Sequence, residues 1–236
     1  MFDKYQKYGA YHWNDIDTTS FYKILKRSLP LHTRYQKCLK NIPQKVQFGV
    51  EIGCGDGALT YLLAEHGTKK VLGCDTDQTG IKLAREKVKD LPLMHSVRFE
   101  CSLLQDCNLE DESVDIIIMA DVIEHLDNPS SLLDEIKRIG KPGGRLILTT
   151  PKAREGKLWD SNHVCEYTEE TLVQLLKDFF PKTNVSPFMP LLFYRAYNRF
   201  QGFRFLFNMS TMVGFDPFSI QLPGQKHVML LSISDL

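Results

Sequence analysis

The sequence has 236 residues, and its 29 lysines and arginines are balanced by 29 aspartates and glutamates. This length suits one α/β domain with a single elaboration rather than two full domains. A net charge of zero provides no overall field that would favour nucleic acid, a membrane or an acidic partner, although a local patch could still do so. The longest apolar runs are far shorter than the roughly 20 residues needed to cross a bilayer.

The six cysteines are scattered along the chain and form no C-x-x-C pair. The N-terminus also lacks the apolar core of a signal peptide. Both features predict a reduced, cytoplasmic protein.

Short β-branched runs alternate with helix-length amphipathic segments, an order typical of a doubly wound, mostly parallel sheet. Residues 1–44 carry amphipathic helix signals, so we expect an N-terminal helical cap over the mouth of the sheet. The pattern then predicts a strand over 45–52, a helix over 58–67, a strand over 69–75, a helix over 78–90, and strands over 96–101 and 113–120.

The second half of the chain predicts a helix over 129–140, then a tight turn and a strand over 141–150. A helix begins at Thr168 and runs to about Phe180, and strands follow over 183–188 and 226–236. These seven strands place residues 45–236 in one domain. The stretch at about 189–224 is too long for a plain hairpin loop, so we expect a lid-like insertion there.

The stretch VEIGCGDGALTYLL follows a strand and opens a helix, as a cofactor-binding turn requires. It also fits the dinucleotide fingerprint, with Asp75 as the acidic partner about 20 residues on, so a nicotinamide cofactor is one interpretation. However, Glu51 precedes the glycines and Asp56 lies among them. These carboxylates would repel a pyrophosphate and attract the sulfonium and ammonium of an S-adenosyl cofactor, whose ribose diol Asp75 could bind.

Four pieces in this order, VEIGCGDG, VLGCDTD, ESVDIIIMADVIEHL and KPGGRLILTTP, resemble the class I S-adenosylmethionine-dependent methyltransferases of the small-molecule type. The resemblance implies a Rossmann-like methyltransferase fold and S-adenosylmethionine as cofactor. It also implies apolar contacts to the adenine from Ile81 and Leu103. The cofactor-binding residues it implies are Glu51, Gly53, Cys54, Gly55, Gly57, Asp75, Thr76, Ser102, Ala120 and Asp121.

Two histidines and two carboxylates form a second constellation, comprising Asp121, Glu124, His125 and His163. A helical turn after the fourth strand would aim the first three toward the cleft. Such a set suits a divalent cation such as Mg²⁺, Mn²⁺ or Zn²⁺, with all four residues as ligands. Without a metal, either histidine could act as general base. We therefore expect Asp121, His125 and His163 to be catalytic.

The same constellation is similar to two branches of the superfamily. One comprises the small-RNA 3′-terminal 2′-O-methyltransferases, in which D-x-x-E-H and H-x-x-E-Y-T of this chain correspond to metal-binding motifs. There Asp121 replaces a glutamate. The other branch, the ubiquinone-biosynthesis O-methyltransferases, has a related E-H signature and acts on phenol oxygens.

Ten of the 25 aromatic residues lie from Phe188 to Phe218, accompanied by only three arginines. This stretch is interpreted as a packing element, an apolar substrate pocket, a peripheral membrane contact or a stacking surface for nucleic acid. The low ratio of arginines disfavours nucleic acid.

We expect methyl transfer to an oxygen of a small or medium-sized, hydroxyl-bearing acceptor that the sequence does not identify. The alternatives are a metal-dependent RNA 2′-O-methyltransferase and a non-catalytic cofactor-binding protein. The oligomeric state stays open.

Overall fold

The computed structural model describes residues 4–17, 20–222 and 224–236. Parts of the predicted N-terminal cap (1–3 and 18–19) and of the predicted insertion (223) lie outside the described residues. The helices are α1 (Lys4–Tyr8), α2 (Tyr11–Ile16), α3 (Phe21–Lys26), α4 (Leu29–Leu39), α5 (Ala58–Glu65), α6 (Gln78–Val88), α7 (Ser130–Ile139), α8 (Glu169–Lys177), α9 (Leu191–Arg199) and α10 (Gln201–Ser210).

The strands of the described chain form one seven-stranded sheet in the order β3-β2-β1-β4-β5-β7-β6. They are β1 (Phe48–Ile52), β2 (Lys70–Asp75), β3 (Val97–Cys101), β4 (Val114–Ala120), β5 (Gly140–Pro151), β6 (Thr183–Pro190) and β7 (His227–Asp235). Neighbouring strands from β3 to β5 are parallel, whereas β7 runs antiparallel to both β5 and β6. The predicted doubly wound, mostly parallel sheet is confirmed.

Strand β4 shows why the sheet is covered on both faces. Ile116 and Ile118 belong to one buried apolar cluster, and Ile117 and Met119 belong to another. Successive side chains of a strand point to opposite faces, so an unbroken apolar run supplies both layers. The first cluster includes residues of α4 and α5, and the second includes residues of α7 and α8.

Two predicted boundaries differ from the structure. Strand β1 begins at Phe48 rather than at residue 45, because Lys45 has a φ of 64° and the chain turns there. The tight turn predicted before β5 is instead an irregularity within the strand. Gly140 pairs with Val114, and the register then shifts before the next pair, Ile116 with Arg145.

The predicted helix at Thr168 is confirmed. The Thr168 hydroxyl accepts a hydrogen bond from the Thr171 amide, and the Thr171 hydroxyl accepts one from the Thr168 amide, which caps α8 at both positions. The stretch between β6 and β7 contains α9 and α10, so it is a pair of helices rather than a loop. Within the described residues, no helix combines the length and apolarity that crossing a membrane requires.

Candidate active site

A cavity of about 1590 Å³ opens at the carboxyl ends of β1 and β4. These strands are neighbours, but the chain leaves β1 toward β2 and leaves β4 toward β5, on opposite sides. This reversal of strand order separates the two following loops and creates a crevice, which is where doubly wound sheets bind their ligands. The glycine loop after β1 and the Asp121 turn after β4 therefore meet at one site.

The glycine loop has the backbone shape that its sequence predicts. Gly55 has a φ of +53°, a backbone conformation that strains other residues, and a Cβ there would also displace the Tyr5 hydroxyl. Gly57, with a φ of +77°, is the N-cap of α5. The Asp75 carboxylate accepts hydrogen bonds from the backbone amides of Gly55 and Asp77, each at 2.8 Å. Asp75 thus fixes the loop beside which a ribose would lie.

Glu51 is buried directly beneath the loop, with 3% of its surface exposed. Its carboxylate accepts a hydrogen bond from the Thr60 hydroxyl of α5. Burial, with Asp56 and Asp75 nearby, raises the pKa of Glu51 to about 8 in spite of that hydrogen bond. In the empty site the Glu51 carboxyl is therefore largely protonated near pH 7, and a bound cation would favour its ionised form.

Helices α1 and α2 close the cavity over the glycine loop. The Asp56 carboxylate accepts a hydrogen bond from the His12 amide at 3.0 Å, and the His12 Nδ1 lies 3.1 Å from its other oxygen. The Trp13 indole donates to the Asp56 carbonyl at 2.7 Å. The sequence predicted helices over the mouth of the sheet, but it gave no signal that Asp56 is their anchor.

Asp121 lies in a strained turn and forms an ion pair with a distant arginine. Its φ is 56°, a conformation that aspartate tolerates better than most residues. Its carboxylate contacts the Arg34 guanidinium of α4 and accepts a hydrogen bond from the Thr149 hydroxyl at 3.3 Å. Burial acts to lower the pKa of Arg34, but the attraction of Asp121, added to that of Tyr35, Cys38 and Glu124, leaves it raised. Sequence reasoning missed Arg34.

Three of the four residues in the predicted constellation come together. Ligand atoms of Glu124, His125 and His163 lie within 4.8 Å of one another, whereas Asp121 turns to Arg34 and is not in this group. Glu124 is fully buried, and burial followed by the charge of Asp121 raises its pKa to about 8. One oxygen, Oε2, accepts from the Thr150 hydroxyl at 2.9 Å, and Oε1 has no hydrogen-bond partner among the described residues.

Both histidine rings are held through Nδ1. The His125 Nδ1 lies 3.0 Å from the Asn162 carbonyl, which can only accept, so this nitrogen carries the proton. The His163 Nδ1 lies 2.6 Å from the Glu166 carboxylate. The rings meet edge to face with centroids 5.0 Å apart. A histidine held in this way presents Nε2 as its reactive atom.

Most of the predicted site residues line the cavity at the carboxyl ends of β1 and β4. Ile81, expected to contact an adenine ring, is instead buried in an apolar cluster with Cys54 and Phe99, whereas Leu103 lines the cavity. Gly55 and Gly57 do not line the cavity, but their positive φ angles shape the loop that does. The predicted residues that line the cavity are Glu51, Gly53, Cys54, Asp75, Thr76, Ser102, Ala120, Asp121, Glu124, His125 and His163.

Comparison with known proteins agrees with this geometry. Residues 50–148 match the family described as methyltransferase domain, and they span the glycine loop, the Asp121 turn and β5 as far as Leu148. The mitochondrial ubiquinone biosynthesis O-methyltransferase of Dictyostelium discoideum is 30% identical over 158 residues, which are 58% of this chain and 48% of that protein. Residues 50–148 form a class I S-adenosylmethionine-dependent methyltransferase domain.

Other relatives of the methyltransferase domain give the same result. The ubiquinone biosynthesis O-methyltransferase of Coxiella burnetii is 28% identical and is matched over 51% of this chain and 52% of its own. The chain thus spans about half the length of these curated relatives. A solved S-adenosylmethionine-dependent methyltransferase from Aquifex aeolicus is 28% identical with a TM-score of 0.54, over 66% of this chain and 82% of that one.

A more distant structure confirms the fold alone. Geranyl diphosphate C-methyltransferase from Streptomyces coelicolor is 15% identical with a TM-score of 0.64, over 94% of this chain and 85% of that one. The 28% identical relative from Aquifex aeolicus is described as S-adenosylmethionine-dependent, which supports that cofactor for the methyltransferase domain.

Proposed function

We propose that this chain transfers the methyl group of S-adenosylmethionine to an oxygen of a small or medium-sized, hydroxyl-bearing acceptor. One observation carries the proposal: the glycine loop and the pair His125 and His163 line the same cavity. A hydroxyl needs to lose its proton as it attacks the methyl group, and an imidazole beside the donor is suited to take that proton. Similarity to the ubiquinone biosynthesis O-methyltransferases supports oxygen as the acceptor atom.

Cofactor binding is assigned to the groups around the glycine loop. Glu51 and Asp75 supply negative charge near a cationic donor, and Asp75 has acceptor capacity left for ribose hydroxyls. Displacement at the methyl group involves no covalent enzyme intermediate. The chain's main contributions are therefore alignment of donor and acceptor and exclusion of water by α1 and α2.

We further propose that Glu124, His125 and His163 bind a divalent cation. The residues fit such an ion, because Glu124 Oε1 is buried without a hydrogen-bond partner among the described residues and both rings are oriented through Nδ1. Glu166 holds His163 as outer-shell carboxylates hold metal-binding histidines. A bound cation would lower the pKa of the acceptor hydroxyl. Asp121, paired with Arg34, serves this site by balancing charge rather than as a ligand.

The first test is calorimetric titration with S-adenosylhomocysteine, followed by titration with Mn²⁺. We expect wild-type protein to bind both, and His163→Ala to keep nucleoside binding while its Mn²⁺ affinity falls by at least about tenfold. His95→Ala is the matched control, because His95 is exposed and lies outside the cavity. Failure to bind the nucleoside would refute the function itself.

Transfer to oxygen is tested separately with a radioactive methyl donor and a panel of phenols, catechols and aliphatic alcohols. Methylated oxygen in any product, lost in His163→Ala and kept in His95→Ala, is the expected result. Full activity in excess chelator would refute the proposed role of a cation, and a histidine would then take the proton as general base. If methylated product forms only when RNA is offered as the acceptor, the result would favour the alternative function, RNA 2′-O-methylation.

A further inference from the structure

Helix α10 has an inverted distribution of polarity. The residue it buries is Asn208, whose amide donates to the carbonyl oxygens of Leu25 at 2.7 Å and Arg27 at 3.2 Å, at the end of α3. Phe207 packs against the core, whereas the other apolar side chains of the helix point outward. The exposed apolar residues of α10 and the turn after it, which we call the α10 face, are Phe203, Phe205, Leu206, Met209, Met212 and Val213.

The exposure of this face is large for apolar side chains. Leu206 is 60% exposed and Val213 is 84% exposed. Phe200, at the junction with α9, is also exposed and extends the face, because its ring centroid lies 6.0 Å from that of Phe203. Isolated exposed apolar residues are ordinary, but a continuous group of them marks a surface that contacts a protein or a membrane.

Charge distinguishes between these two partners. The segments 20–50 and 190–215 contain no aspartate or glutamate, although the chain as a whole has zero net charge. The exposed cations of α3, α9 and α10 include Lys26, Arg195, Arg199 and Arg204. Asp15 interacts with Arg204, and Asp17 pairs with Lys23 of α3, but the two segments themselves carry cations only. In a two-fold dimer the same patch meets itself, which would oppose cation to cation. A surface bearing anionic groups is the complementary partner.

We propose that the α10 face docks on a lipid bilayer with anionic headgroups. Its aromatic and aliphatic side chains would enter the boundary between headgroups and acyl chains, and its arginines would contact phosphates. The amphipathic arrangement, with apolar side chains outward and a cationic border, is that of a helix lying in the plane of the membrane surface.

A groove beside this surface shares two lining residues with the active cavity. It has a volume of about 530 Å³ and is lined in part by the exposed Leu192 and Phe200. Trp159 and Tyr194 line both the groove and the active cavity, and their rings meet edge to face with centroids 6.0 Å apart. Movement of these two rings would open a route for an apolar acceptor from the bilayer to the active cavity. That consequence rests on the proposed function, whereas the docking does not.

The test is sedimentation of the full chain with phosphatidylcholine vesicles, with and without 30% phosphatidylglycerol. We expect binding to the anionic vesicles only. Phe205→Ser/Leu206→Ser should weaken it by at least about tenfold, and Arg195→Gln/Arg199→Gln by roughly 25-fold. Met94→Ser, which alters an apolar side chain of 37% exposure outside the face, should bind like wild type.

Binding of S-adenosylhomocysteine by each variant shows that it is folded, and it separates failure of the docking from failure of the proposed function. Equal binding to both vesicle types would overturn the proposal, as would no binding by a wild-type protein that still binds the nucleoside. A monodisperse dimer in light scattering that the Phe205→Ser/Leu206→Ser change converts to monomer would also overturn it, because the face would then be occupied by a second copy.

Discussion

Glu51→Gln is expected to stabilise the folded protein while weakening its affinity for S-adenosylmethionine. Burial, assisted by Asp56 and Asp75, raises the pKa of Glu51 from 4.5 to about 8. The unfolded chain loses this proton near pH 4.5 and the folded chain only near pH 8. Between these values the folded state binds more protons than the unfolded state, so stability falls as pH rises.

The size of the effect follows from the two pKa values. Each pKa unit corresponds to about 1.36 kcal/mol, so the buried carboxyl costs about 3 kcal/mol at pH 7 and about 1 kcal/mol at pH 5. Glutamine is neutral at every pH, and its amide oxygen can accept the Thr60 hydrogen bond that Glu51 accepts. The variant should therefore be more stable by about these amounts.

Urea unfolding at pH 5, 7 and 8 measures this difference, with Glu86→Gln as control because Glu86 is exposed on α6. Calorimetry with S-adenosylmethionine should show weaker binding by Glu51→Gln, since the site loses a charge that attracts the sulfonium. Wild-type protein should also release a proton on binding near pH 7. A stability difference that does not change with pH, or a loss of stability, would refute this account of Glu51.

Other changes test other parts of the molecule. Arg34→Gln should lower the free energy of unfolding by about 2 kcal/mol, because it leaves Asp121 without its cation; equal stability of the variant and wild type in urea would contradict this. Leu133→Ala, on the buried face of α7, should lower the free energy of unfolding by about 3 kcal/mol in the same assay. Glu166→Gln should weaken Mn²⁺ binding by about tenfold through the orientation of His163, and unchanged affinity would remove Glu166 from the site.

The sequence by itself determined the sheet and the cofactor loop. The apolar run of β4 predicts a strand covered on both faces, because its side chains alternate over a short stretch of chain. The glycines after β1 predict a tight turn, because only they tolerate its backbone. Signals of this kind are local, so they can be read without knowledge of the rest of the fold.

Only the tertiary structure decided which charged groups meet. Arg34 and Asp121 are 87 positions apart, and nothing in either segment specifies their pairing, which removes Asp121 from the group formed by Glu124, His125 and His163. Packing likewise decided that α10 buries Asn208 beside Phe207 and exposes most of its apolar side chains, because the end of α3 offers the carbonyl oxygens of Leu25 and Arg27 to that amide. A helical pattern specifies which residues share a face, but the neighbours of the helix decide which face turns inward.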